Sequence, residues 1–251
     1  MNETLETEQR EPAGKTAASA VADLVRRGRE LRRLFDVPGY EEAIPLLREA
    51  IELDPSHAPA YAELAATYSY WGFRREICGL EYESLYDLSY DYADMALRLA
   101  PESAAAHCAM AVALRRGKKA DLARRRREIL IAADLDPEDP EILCESWRVG
   151  GYDPADAVLR RVLALAPRLV AVHIDLGAAL CELGRLDEAL AELQKALQIN
   201  PRNIQAYYDI AMVLDRKGLR QKALAILLKA REFRHGDPLI EQGVDFLGHA
   251  P

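Results

Sequence analysis

The chain has 251 residues, of which 50% are hydrophobic and 29% charged, enough apolar material for a sizeable core in a soluble globular protein. Its formal net charge of -8 argues against a general nucleic-acid coat protein. No stretch approaches the roughly 20 apolar residues of a transmembrane helix, and the polar N-terminus is unlike a secretory signal. Four widely spaced cysteines without a CxxC pair predict free thiols in a reducing compartment, so we expect a cytoplasmic protein.

The chain begins with an acidic segment and a first pair of helical patterns. Residues 1–19 are polar and show no periodicity, which predicts a disordered tail. Helices are predicted over about 20–35 and 40–53, because Pro38-Gly39 and Asp54-Pro55 interrupt the apolar spacing.

The next three pairs of helices are irregular. From Gly72 to Pro101 the chain counts 29 positions, against 17 from Gly184 to Pro201, so about 12 residues are inserted and we expect a long or broken second helix. The third pair carries four consecutive arginines in its second helix. The first helix of the fourth pair is about one turn shorter than usual, and its second helix starts near Tyr152.

The most regular pair covers 170–203. Val172, Leu176 and Leu180 recur at four-residue steps on one helix face, and Gly184 ends that helix. A second helix runs to Pro201, and the whole pattern repeats over 204–237. A last short helix, about 239–247, is expected to cover the exposed apolar end of the stack.

Closing prolines stand at positions 55, 101, 137, 167 and 201, a recurrence near 34 residues with two helices in each unit. In this spacing the chain resembles the tetratricopeptide repeat (TPR) family. The resemblance implies an all-α, right-handed α-solenoid of about six helical hairpins with a C-terminal capping helix. The expected division of the chain is a tail (1–19), six units (about 20–57, 58–103, 104–137, 138–169, 170–203 and 204–237) and a cap with its own tail (238–251).

The resemblance also implies a function. In the family the first helices of the units line a concave groove that holds peptides or partner helices. We therefore expect a protein-interaction scaffold or adaptor whose partner carries apolar anchors and some positive charge. The groove residues expected from the spacing are Cys144, Trp147, Ile174, Ala178, Cys181, Tyr208, Met212 and Asp215.

Trp147 has two interpretations. A tryptophan exposed in a groove is typical of a protein-binding surface, but Trp147 can equally fill the space left by the shortened helix. The carboxylate-clamp subtype of the family is disfavoured, because no asparagine lies inside a first helix and Asp175 and Asp209 occupy the relevant rows.

A basic patch stands out in the third unit, and it fits an acidic protein surface, nucleic acid, or a solvated helix face with acidic neighbours. No aromatic residues alternate with the arginines, which disfavours nucleic acid. The patch consists of Arg115, Arg116, Lys118, Lys119, Arg124, Arg125, Arg126 and Arg127.

Tyr82, Tyr86 and Tyr90 recur at four-residue steps, a stripe that either packs within the fold or binds a ligand. The alternative function is thus a regulatory module that senses a small ligand or nucleic acid through this stripe or the basic patch. No catalytic, nucleotide-binding or metal-binding motif is present, so we expect no enzyme, no cofactor and no metal.

Overall fold

A computed structural model describes residues 17–150 and 155–249. Within these ranges the regular secondary structure is entirely helical. The helices are α1 Ala17–Arg32, α2 Val37–Leu53, α3 Ala58–Ile77, α4 Glu83–Leu99, α5 Ala104–Ala113, α6 Leu122–Leu135, α7 Pro140–Gly150, α8 Ala155–Leu165, α9 Val170–Glu182, α10 Leu186–Ile199, α11 Ile204–Arg216, α12 Arg220–Phe233 and α13 Pro238–His249. None of them is long and apolar enough to cross a membrane.

Consecutive helices pair into antiparallel hairpins that stack side by side, and α13 packs on α11 and α12 at the end of the stack. Residues 1–16 of the predicted tail and Tyr152 lie outside the described residues, while 17–19 belong to α1. The fold is therefore an all-α stack of helical repeats, as the sequence predicts.

The regular unit shows why the repeat folds locally. Gly184 ends α9 with a φ of +74°, a left-handed conformation that glycine adopts without strain. Inside the hairpin, a Cβ on Gly177 would lie 2.6 Å from Cγ of Leu193, so glycine lets the two helices approach closely. Leu176 and Leu180 are fully buried in the same cluster.

The second unit differs from the sequence expectation. The first helix, α3, has 20 residues against 13 in α9, whereas the second helix, α4, has 17 against 14 in α10. Most of the inserted residues therefore lengthen the first helix. The expected long second helix holds only in part, because α4 is three residues longer than α10 and is not broken. Gly72, expected as the turn, lies within α3, where a Cβ would meet the ring of Tyr86 at 2.9 Å.

The stack of hairpins closes on itself. The amide nitrogen of Asn203 donates to the carbonyl oxygens of Leu34 and Phe35 at 3.1 and 2.9 Å. The amide of Asn200 donates to the Leu34 carbonyl at 3.0 Å and to the Asp36 carboxylate at 2.6 Å. The turn between α1 and α2 thus packs against the turn between α10 and α11, a contact that we call the seam.

The second unit extends the seam. Arg74, near the end of α3, donates to Gln205 at 3.2 Å and forms an ion pair with Asp237 at 3.1 Å. Phe35 has a φ of +54°, an uncommon conformation for a residue other than glycine, and its ring packs edge-on against Tyr70. The first two units therefore contact the last ones directly, in addition to the contacts between neighbours that a solenoid always has.

Replacing Leu176 with alanine tests the assigned core of the regular unit. We expect a loss of about 2–5 kcal/mol in the free energy of unfolding, because the buried side chain leaves a cavity. Chemical denaturation measures this loss. The control Leu183→Ala removes an exposed leucine from the following turn and should cost under about 0.5 kcal/mol. Equal losses in both variants would contradict the assignment.

Replacing Asn203 with serine tests the seam. Serine keeps a side-chain acceptor for the Ala206 amide, which Asn203 caps at 2.9 Å, but it lacks the amide donors. We expect a loss of about 1–3 kcal/mol, because the Phe35 carbonyl loses its donor. Hydrogen exchange should show the amides of α2 losing protection first. The control Ser103→Ala removes the cap of α5 and should leave α2 protected.

Candidate functional site

The interior of the closed stack is filled by charged side chains. Glu63 on α3 pairs with Arg29 at 2.5 Å and with Arg32 at 2.9 Å, both on α1. Glu141 on α7 pairs with Arg32 and Arg33, each at 2.7 Å. Arg32 lies almost wholly buried between the two carboxylates, and these pairs bring α1, α3 and α7 together across the concave side.

A second cluster continues this interior. Glu145 is almost wholly buried, accepts a hydrogen bond from the Tyr70 hydroxyl at 3.1 Å and pairs with Arg125 at 3.2 Å. Arg148 pairs with both Glu145 and Asp175. Although burial opposes ionisation, three neighbouring guanidiniums lower the pKa of Glu145 to about 2, so the carboxylate stays charged at neutral pH.

These clusters close most of the concave face. Two cavities remain beside them, of about 30 and 80 Å³. A cavity of this size holds a few water molecules but not a peptide. The concave face of the first four units is therefore occupied by the chain's own side chains.

The structure places the predicted groove residues in two groups. Cys144, Trp147, Ile174 and Cys181 are buried, and Trp147 packs in the same apolar cluster as Leu159 of α8. Ala178 is exposed, and the remaining predicted positions are partly exposed: Tyr208, Met212 and Asp215. The accessible residues thus come from the last two units.

Burial also accounts for the cysteines, which are all free. It raises the pKa of the Cys108 and Cys144 thiols well above the ordinary value. Thiols held in the protonated form are weak nucleophiles and poor metal ligands.

An open groove lies between α9 and α11, with a cavity of about 640 Å³, large enough for one or two side chains of a partner. Its lining is mostly apolar. The lining residues are Gly177, Ala178, Cys181, Glu182, Leu193, Asp209, Met212 and Val213. We call this cavity the C-terminal groove.

Asp209 is the acidic residue in this groove. Burial raises its pKa to about 7, against the opposing effects of the Gln205 amide, which donates to it at 2.9 Å, and of Arg74. Glu182, the other acid in the lining, pairs with Arg216 at 3.4 Å. Asp209 therefore lies in an apolar groove and forms no ion pair among the described residues. In the sequence, Asp209 stands out only as an acid in the row that a carboxylate clamp would use, and that position among the first-helix rows is what points to the groove.

The basic patch is divided among several acidic neighbours. Five of its members form ion pairs: Arg116 with Glu76, Lys118 with Glu83, Lys119 with Asp91, Arg124 with Glu128 and Arg125 with Glu145. The Arg115 guanidinium lies 5.1 Å from the centre of the Phe73 ring. Arg115, Arg126 and Arg127 form no ion pair within the described part of the chain, and of these three Arg126 and Arg127 are exposed.

The tyrosine stripe packs between units two and three. Tyr86 is buried, and its hydroxyl donates to Glu76 at 2.6 Å. The Tyr82 ring stacks edge-on against it at 5.5 Å, while the Tyr90 hydroxyl accepts a hydrogen bond from Arg124 at 2.9 Å. These contacts favour the interpretation that the tyrosine stripe packs within the fold.

The histidines that replace aromatic residues in the repeat occupy matching places. Nε2 of His173 lies 3.1 Å from the Pro167 carbonyl, and the Tyr207 hydroxyl donates to the Pro201 carbonyl at 3.2 Å. Each side chain ties the start of a first helix to the proline six residues earlier. The other ring nitrogen of His173, Nδ1, lies 2.9 Å from the Glu192 carboxylate on α10, so this side chain also ties the two helices of the hairpin together.

Family models agree with this architecture. The TPR repeat model matches residues 177–218, and a tetratricopeptide repeat model matches residues 40–57. The chain is a tetratricopeptide repeat protein, and this fold supports protein interaction in general. A search of curated proteins found no match.

Solved structures share the fold at low sequence identity. A chain of human IFIT1, solved as a dimer with m7Gppp-AAAA, superposes with a TM-score of 0.67 at 17% identity, covering 90% of this chain and 53% of that one. The APC/C hetero-tetramer Cut9-Hcn1 gives 0.63 at 17%, covering 92% and 45%. A tetratricopeptide repeat protein from Parabacteroides merdae gives 0.59 at 12%, covering 91% and 84%. The chain thus spans about half the length of the first two.

Replacing Asp209 with asparagine tests the environment of the groove. The folded protein binds the Asp209 proton up to about pH 7, while the unfolded chain releases it near pH 4, so this residue makes stability fall as pH rises between these values. Asparagine mimics the protonated acid. The variant should match the wild type near pH 4 and exceed its free energy of unfolding by on the order of a few kcal/mol near pH 8, since a pKa difference of one unit is worth about 1.4 kcal/mol. A difference that does not depend on pH would contradict the raised pKa.

Proposed function

We propose that the protein is a non-enzymatic interaction scaffold that binds a partner segment in the C-terminal groove. One observation carries the proposal: this groove is open and mostly apolar, and it contains a half-buried acid that forms no ion pair among the described residues. The rest of the concave face is filled by the chain itself. Binding is therefore confined to the last two units instead of following the whole solenoid.

The lining suggests what the partner segment carries. Ala178 and Met212 offer an apolar surface, and methionine adapts its shape to the side chain that it contacts. Asp209 favours a cation, because a lysine or arginine of the partner stabilises the ionised carboxylate in a partly desolvated place. The fitting segment has an apolar anchor followed closely by a basic residue.

This chemistry makes binding depend on pH. A cationic partner binds the ionised form of Asp209 better than the protonated form. Because burial raises the pKa of Asp209 to about 7, affinity should rise from about pH 6 to about pH 8. The Asp209→Asn variant should bind more weakly at high pH and lose the dependence on pH.

The test uses a panel of short labelled peptides that present leucine and lysine at varied spacing, with fluorescence anisotropy as the measurement. Ala178→Arg places a long charged side chain in the groove and should weaken binding about tenfold or more. Ala191→Arg is the matched control, because it makes the same change at an exposed position of α10 outside the groove. Peptides with norleucine in place of lysine should bind the wild type less tightly.

Equal binding by the two arginine variants would place the site elsewhere. If no peptide binds the wild type, or if glutamate in place of lysine improves binding, the proposed partner chemistry is wrong. Capture of partners from the native host by the wild type and by Ala178→Arg then identifies which proteins depend on the groove.

RNA binding is the other function to consider, because the IFIT1 structures contain capped or triphosphorylated RNA. Five of the eight patch residues are neutralised by neighbouring acids, which lowers the attraction for phosphate. We expect no salt-sensitive binding to a labelled RNA with a 5′-triphosphate. Tight, salt-sensitive binding that Arg126→Glu/Arg127→Glu abolishes would favour RNA.

A further inference from the structure

The outward face of α6, the second helix of the third hairpin, differs from the same face of the second helix in every other hairpin. In α10, the buried Leu193 is followed by two exposed polar residues, Gln194 and Lys195. At the matching positions α6 has Leu130 and Ile131, with 64% and 41% of their surface exposed. The matching pairs in the other units each contain at least one charged residue: Arg48-Glu49, Asp94-Met95, Arg160-Arg161 and Leu228-Lys229.

Further residues continue this face along the helix. Leu122, 58% exposed, Arg126 and Leu130 follow one another at four-residue steps, so they form one row. Arg127 and Ile131 form the adjacent row. Between Leu122 and Ile131 these two rows of apolar and basic side chains cover about 14 Å of α6.

The two arginines are available to a partner. Other basic residues nearby pair within the chain, as Arg124 does with Glu128 and Arg161 with Glu138. Arg126 and Arg127 form no such pair in the described structure and are exposed. Large apolar side chains in solvent add nothing to folding, so their clustering between two free guanidiniums indicates a contact surface.

We infer that the outward face of α6 docks an acidic amphipathic helix of a partner protein. Apolar residues of that helix, spaced by three or four, would cover Leu122, Leu130 and Ile131, and its carboxylates would pair with Arg126 and Arg127. Charge complementarity selects the acidic partner, because Arg126 and Arg127 are exposed cations on this face and form no ion pair in the described structure. The face carries no aromatic ring on which a nucleic-acid base would stack.

The experiment measures binding of a labelled acidic amphipathic peptide, with leucines on one face and glutamates on the other, by fluorescence anisotropy. The variant Leu130→Gln/Ile131→Lys gives α6 the pair found in the regular unit, and should weaken binding about tenfold or more. This loss is expected although the variant gains a positive charge, so it reports the apolar contact. Arg126→Glu/Arg127→Glu should also abolish binding, and added salt should weaken binding of the wild type.

Controls separate docking from folding and from other partners. Leu228→Gln removes an exposed leucine from α12 and should leave binding unchanged, as should Ala178→Arg in the groove. Circular dichroism should be the same for all variants. The inference is overturned by no binding to the wild type, by equal binding to Leu130→Gln/Ile131→Lys, or by equal binding of a peptide with lysines in place of glutamates. If the wild type self-associates and Leu130→Gln/Ile131→Lys does not, the face binds a second copy of this chain instead of a partner helix. If the wild type sediments with phosphatidylglycerol vesicles and does not bind the peptide, the face binds a membrane.

Discussion

The polar seam between the first and last units is the contact on which the rest of the structure depends. Backbone carbonyls that are left free at the end of a helix need donors, and the turn after α1 obtains them from Asn200 and Asn203, more than 160 residues away in sequence. Because this contact joins opposite ends of the stack, it fixes how tightly the hairpins curve. An open solenoid would leave the same carbonyls to water and the concave face free.

The charged interior is a consequence of this closure. When α1, α3 and α7 meet on the concave side, Arg32, Glu141 and Glu145 lose most of their water and must find partners within the chain. Buried ion pairs of this kind contribute little net stability, but leaving one partner alone costs several kcal/mol. The network therefore favours this one arrangement of the helices over shifted ones. Its side chains also fill the concave face of the first four units, so a partner segment can enter only the cavity between α9 and α11.

The hairpins could be predicted from the sequence, because apolar spacing, turn glycines and closing prolines act within about 34 residues. The seam could not, since it joins distant turns through two asparagines that no local pattern singles out.

Trp147 had two interpretations because a shortened helix and a groove predict the same residue type, and only the three-dimensional packing shows it buried beside Leu159. Most of the inserted residues were assigned to the second helix for a related reason. They continue α3 through Gly72, and this glycine does not form a turn but leaves space for the ring of Tyr86. In contrast, the unusual pair Leu130-Ile131 becomes visible once the repeats are aligned by their buried residues.

The two proposed binding faces carry opposite charges, and this opposition has a consequence for assembly. Asp209 makes the C-terminal groove attractive to a basic segment, whereas Arg126 and Arg127 make the outward face of α6 attractive to an acidic one. A segment that fits one face is repelled by the other, so two partner segments cannot exchange places. Because the closed stack holds α6 and α11 in one body, the distance between the two faces is fixed by the seam. Loosening the seam would then weaken the binding of a partner that contacts both faces more than the binding of a partner that contacts a single face. Only the first partner bears the cost of aligning two sites.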